Sequence, residues 1–270
     1  MNMEVKMKPE TFYKLARPDG FDFYTGKTIN YRKNIGKIVT CPNFSSDRKL
    51  CSDTVIHASR KPDQCFVAAK IPCSAYLVFG VPILEDTVKC GFKELEVIRE
   101  LQPENLFKWN YAEAVNLTNP FEIRPPEITE KEINILRRWV AVRVSVRDSV
   151  RDSIENSAWD SVWDSVWASV WDSIWDSVWA SVRDSAWDSI WAYVGWIFSL
   201  VIKKWKYIKH KEGIYPFQPA VDLWKLGLVP SFDGELWRLH GGKNIKILWE
   251  GEINDRETVN VAVNKLREGK

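Results

Sequence analysis

Residues 139–194 repeat one tetrapeptide, Trp-Asp-Ser-Val, through fourteen units without a slip in register. Trp139, Trp159, Trp163, Trp167, Trp171, Trp175, Trp179, Trp187 and Trp191 share one phase. Arg143, Arg147, Arg151, Glu155 and Arg183 fill the other slots of that phase. A strict period of four leaves few folds open. In a strand, alternate residues share a face, so Trp falls with Ser and Asp with Val, and neither face is apolar. A helix gathers Trp and Val on one side and Asp and Ser on the other. Only the helix makes the unit amphipathic. No Gly or Pro stands between Trp139 and Val194 to interrupt it.

The flanks supply a start and a stop. Pro125-Pro126 precedes Thr129-Glu130-Lys131-Glu132, where Thr129 and Glu132 form a capping box. Lys203, Lys204, Lys206, Lys209 and Lys211 suit a helix C-terminus, and Gly213 suits the stop. The pattern predicts one helix over about 130–209, roughly 120 Å long at 1.5 Å per residue. Ser, Asp, Val and Trp are mediocre helix formers, so packing has to hold it. A unit of four overshoots the helical turn by about 40°, so the apolar stripe winds around the helix. Other copies of the chain, or a partner helix, could wind with it. The expected interaction positions are Trp159, Trp163, Trp167, Trp171, Trp175 and Trp179, with Val162, Val166 and Val170. A second reading treats the tract as a product of replication slippage with no particular purpose.

The expected fold class is α+β in three parts: a mixed α/β head over 1–126, the long repeat helix over 127–212, and a small α+β piece over 213–270. In the head, Thr11–Leu15, Phe21–Tyr24 and Ala75–Phe79 read as strands, and 92–101 as a strand or short helix. In the last piece, 220–226 reads as a helix ended by Gly227. Residues 235–250 read as a hairpin, and Val259, Val261 and Val263 as a final strand.

Charge and cysteine usage narrow the function classes. The net charge is only +2. The repeat tract holds four Arg against eight Asp and one Glu, a local charge of 4 − 9 = −5. An acidic Trp-rich tract is a poor platform for single-stranded nucleic acid, whose sites pair aromatics with positive charge. The N-terminal residues lack an apolar signal core, and the odd cysteine count of five fits reduced thiols in the cytoplasm. The uncharged stretch Ser189–Ile202 is too short to span a bilayer but, beside the lysines, could lie at a membrane surface. Cys41, Cys51, His57 and Cys65 do not follow the spacing of a structural zinc site, and no metal or cofactor is expected.

Candidate chemistry is confined to Cys51-Ser52-Asp53-Thr54-Val55-Ile56-His57-Ala58-Ser59. It reads first as a strand ending in a cap, with Ser59 capping a helix that includes Pro62, although a Cys–His or Ser–His nucleophile pair can also be drawn from it. His240 reads as a hairpin residue. Four blocks, 20–26 (Gly-Phe-Asp-Phe-Tyr-Thr-Gly), 50–59, the repeat itself and 228–242, resemble a group of phage, prophage and bacterial proteins of uncharacterised function that carry the same repeats. That resemblance implies a phage-associated or bacterial source and no activity. The order of strand, Gly, aromatic and Val-Ile-His-Ala-Ser is also similar to ADP-ribosyltransferase-like domains. That likeness implies an enzyme in the head with His57 and Tyr24 as site residues. The leading expectation is a non-enzymatic assembly or interaction protein.

Overall fold

The computed structural model describes residues 8–67, 69–146, 149–157 and 186–253. The chain divides into two compact units, the first ending at Tyr111 and the second beginning at Ala112.

The first unit is built on antiparallel strands. These are β1 (Glu10–Ala16), β2 (Ile38–Thr40), β3 (Ile56–Ala58), β4 (Ser74–Gly80), β5 (Leu84–Glu85), β6 (Cys90–Phe92) and β7 (Glu94–Leu101), followed by the short helix α1 (Pro103–Leu106). They form two sheets, ordered β1-β4-β7-β2 and β3-β6-β5. β4 lies inside its sheet and is paired along both edges, as its near-continuous apolar run requires. In β7, Leu95 and Val97 point into the core and Glu94 points to solvent. Phe12, Tyr76, Val78 and Phe92 complete that core, with Phe12 and Phe92 edge to face at 4.8 Å. A reciprocal pair of backbone bonds between Tyr13 and Ser59 ties β1 to the end of β3.

Phe21–Tyr24 is not a strand. The Asp22 carboxylate accepts the Thr25 backbone N–H at 2.7 Å and the hydroxyls of Thr25 and Thr28 at 2.7 and 2.8 Å. A side chain that satisfies the local backbone competes with a sheet ladder, and here it wins.

The second unit holds α2 (Tyr111–Val115, whose first residue closes the first unit), α3 (Glu130–Ser145), α4 (Val150–Glu155), α5 (Trp187–Ile197) and α6 (Gln218–Lys225). One antiparallel sheet follows, of β8 (Leu228–Phe232), β9 (Trp237–Gly241) and β10 (Lys246–Gly251), ordered β10-β9-β8. The capping box at Thr129 and Glu132 is present in both halves. The 220–226 helix and the 235–250 hairpin stand close to where the sequence puts them. The final strand at Val259, Val261 and Val263 lies outside the described residues.

The long helix over 130–209 is overturned, and the fold class is corrected with it. The chain is mixed α+β with short helices and antiparallel sheets, and its longest described helix has 16 residues. α3 stops at Ser145, where Val146 turns to an extended ψ of 129°. Ser149 then starts α4 by accepting the Asp152 N–H. Residues 198–209, expected to be helical, lie beyond the end of α5. Arg143 of α3 forms an ion pair with Asp188 of α5 at 2.6 Å. In a straight helix these residues, 45 apart, would be separated by about 68 Å.

The cause of the break is in the repeat itself. Read from its serine, the unit is most often Ser-Val-Trp/Arg-Asp, and eight of the tract's twelve serines stand three residues before an Asp, spaced as N-cap and N3. Ser149 accepts the Asp152 N–H at 2.9 Å and its hydroxyl meets the Asp152 carboxylate at 2.7 Å. The tetrapeptide that makes an amphipathic helix therefore also offers a new helix start wherever that spacing recurs.

Where described, the repeat buries its own apolar stripe. Trp139 and Trp191 are 1% and 3% exposed inside the second unit. Arginines in the same phase serve those rings and others: Arg151 lies over Trp191, and Arg143 over Phe232 and Trp237. Ile197 and Phe198 are also buried, so the apolar stretch before the lysines is largely spent on this core. Gly195 lies within α5, where Ile154 of α4 packs onto it.

Candidate functional site

A cavity of about 320 Å³ opens in the first unit, between β1, the loop around Asp22, β3 and the segments before Ser52 and Lys89. Its size is at the lower end of the range for small-molecule sites. His57, Tyr24 and all three cysteines of the zinc reading, Cys41, Cys51 and Cys65, line it. Sequence reasoning did not single out its two lysines, Lys14 and Lys89.

Each group reaches the cavity for a local reason. Lys14 comes from β1, held beside β3 by the Tyr13–Ser59 bridge, and its ammonium lies 5.2 Å from the centre of the Tyr31 ring. Lys89 follows the tight turn at Asp86, whose carboxylate accepts the N–H groups of Val88 and Lys89. Lys89 is 9% exposed. Its ammonium donates to Cys51 Sγ at 3.3 Å. Neither lysine forms an ion pair among the described residues.

The cavity is partly desolvated and lined by charges of both signs, Lys14 and Lys89 with Asp22 and Asp53. Burial pulls the Lys14 ammonium below its ordinary range against the attraction of Asp22, and Lys89 adds to the depression. Burial pushes the Asp22 carboxyl up, but the Thr25 and Thr28 hydrogen bonds and Lys14 outweigh it and keep the group ionised. His57 is lowered to about 4 by burial first, then by Lys14 and Lys89. It is therefore neutral at physiological pH.

The Cys–His nucleophile pair is not assembled. His57 Nε2 accepts the backbone N–H of Cys51 at 2.9 Å, so its lone pair is committed to the main chain and not to the thiol. Ser59 is 2% exposed, bonded through its backbone to Tyr13, and stands between β3 and the 3-10 helix Pro62–Val67. Tyr24 is 70% exposed at the cavity rim. Among the described residues no group of three ligand-type side chains is placed to hold a metal ion. The interaction positions Trp159, Trp163, Trp167, Trp171, Trp175 and Trp179, with Val162, Val166 and Val170, lie outside the described residues.

The second unit contains a Ser–His contact that sequence spacing did not reveal. Ser231 Oγ and His240 Nε2 are 2.7 Å apart across β8 and β9, both buried, and they satisfy each other as a core polar pair. Burial, with Arg238 nearby, lowers His240 to about 4.

These two imidazoles set an acid limit. Both are lowered from the ordinary 6.5 to about 4, so between those values the unfolded chain binds protons that the folded chain refuses. Their stabilisation is present above pH 6.5 and is lost as pH falls toward 4. Urea midpoints are expected to drop from pH 7 to pH 5, and His240→Gln is expected to reduce that drop. An equal drop in the variant counts against the assignment.

No family model matches the chain, and neither the curated proteins nor the solved structures contain a significant match. No described helix is long and apolar enough to cross a membrane.

Proposed function

We propose that the first unit is a binding module for a small anionic ligand with an apolar or aromatic portion. One observation carries the reading: Lys14 and Lys89 line a single cavity and neither is ion-paired among the described residues. Lys14 meets Asp22 only through space and Lys89 donates to a thiol, so an anionic occupant would give each ammonium a direct charged partner. Leu15, Ile29, Tyr31, Val55 and Ile56 give the same cavity apolar walls.

Calorimetric titration with nucleoside mono- and diphosphates, NAD and aromatic carboxylates tests it. Binding is expected for anions and not for their neutral analogues. Lys14→Met and Lys89→Met are each expected to weaken it by roughly tenfold or more, since a charged hydrogen bond contributes about 1.5–3 kcal/mol. Silence across the panel, or equal affinity in both variants, overturns the reading.

ADP-ribosyl transfer is a second reading, supported by the presence of His57 and Tyr24 in one cavity whose lysines suit a pyrophosphate. Label transfer from NAD that is lost in His57→Ala would place it first. Assembly through the repeat is supported by the sequence of 158–185 alone. The five unpaired cysteines agree with a reducing, cytoplasmic setting.

A further inference from the structure

Anion binding leaves one reactive group of the cavity unused. Burial raises four of the five thiols: Cys41 and Cys90 move upward, Cys73 to about 11 and Cys65 to about 12. Cys41 and Cys65 also donate to the carbonyls of Asp53 and Tyr13. Cys51 alone is exposed, and it lines the cavity at its opening.

Its surroundings are built. Cys51 holds a φ of +64°, and its N–H is fixed by His57 Nε2. That backbone sets the sulfur against Lys89, a cation nine-tenths buried, without an ion pair among the described residues, and reaching Sγ from inside the cavity. An anionic molecule drawn to Lys14 and Lys89 arrives beside an exposed sulfur.

We propose that Cys51 is a site of mixed-disulfide formation with small disulfides that carry carboxylates, of the oxidised-glutathione class, selected by Lys89 and Lys14. The proposal rests on the anionic-ligand reading of the cavity. In the step, the Cys51 sulfur attacks one sulfur of the small disulfide. The S–S bond of that molecule breaks, a new one forms to Cys51, and the other half leaves as a thiolate that takes up the proton Cys51 gave. One disulfide and one thiol are consumed and one of each is produced, so no further oxidant is needed.

The reduced full chain is treated with oxidised glutathione, neutral hydroxyethyl disulfide or cationic cystamine, and adducts are mapped by peptide mass. One adduct on Cys51 is expected, absent in Cys51→Ser. It should form roughly tenfold or more faster with the anionic reagent than with the cationic one, by a margin that shrinks with salt. Lys89→Met is expected to remove that preference while leaving Cys51 modifiable, and Lys89→Arg to retain it. An adduct elsewhere, an internal disulfide to Cys41 or Cys65, or a preference unchanged in Lys89→Met overturns the proposal. A chain that shows the charge preference yet binds nothing in the titration loses the ligand reading alone. The reverse pattern loses only the Cys51 assignment.

Discussion

Trp224→Ala is expected to destabilise the second unit by about 4 kcal/mol, with a fall in melting temperature on the order of 10 °C. Trp224 is fully buried and stacks on Tyr193 at 5.0 Å, with the rings 14° from parallel. Its indole N–H donates to the Thr118 carbonyl at 2.8 Å. Truncation removes the largest ring between α5 and α6, leaves a void and orphans that carbonyl. Trp224→Phe keeps most of the volume and loses the N–H, so a smaller cost, about 1–2 kcal/mol, is expected. Thermal unfolding followed by circular dichroism separates the two. An alanine variant within 1 kcal/mol of the parent would mean this ring is not a centre of the packing.

Gly195→Val is expected to cost about 3 kcal/mol through overpacking, despite the better helix propensity of Val over Gly. A Cβ at 195 would stand 2.7 Å from the Tyr215 hydroxyl and 2.9 Å from Ile154 Cδ1. Neither neighbour can move aside cheaply. Tyr215 donates to the Ala192 carbonyl and Ile154 is fully buried. Adding Ile154→Ala should recover part of the loss, and a double-mutant cycle measures how much. If the two changes are additive, α4 does not pack on α5 at this glycine.

Both residues show where sequence reasoning stops. Nothing in the sequence marks Gly195 as a contact point, and the helical reading runs through it to about residue 209. Its use as a close-contact point depends on Ile154, which only the fold-back brings near. The strands at β1 and β4 were legible because their apolar runs and turns are local signals, whereas 92–101 stayed open between strand and short helix. The Thr129 cap was legible because its partner is three residues away. Freedom from Gly and Pro does not secure a continuous helix where a Ser-x-x-Asp spacing such as Ser149–Asp152 offers a competing start.

The cavity shows the same division. His57, Tyr24 and Cys51 stood out by residue type and do share one cavity. The geometry that decides their roles, Cys51 N–H on His57 and Lys89 on Cys51, follows from the turn at Asp86 and the sheet register. Lys14 and Lys89 carried no sequence signal, since an isolated lysine in a strand or turn is ordinarily solvated.

The Arg143–Asp188 pair and the packing of Ile154 on Gly195 pin both ends of the repeat tract inside one folded unit. Gain or loss of whole tetrapeptides between these anchors leaves the four-residue phase of every anchor residue unchanged. Descendants of this chain can differ in repeat number while keeping the same two ends.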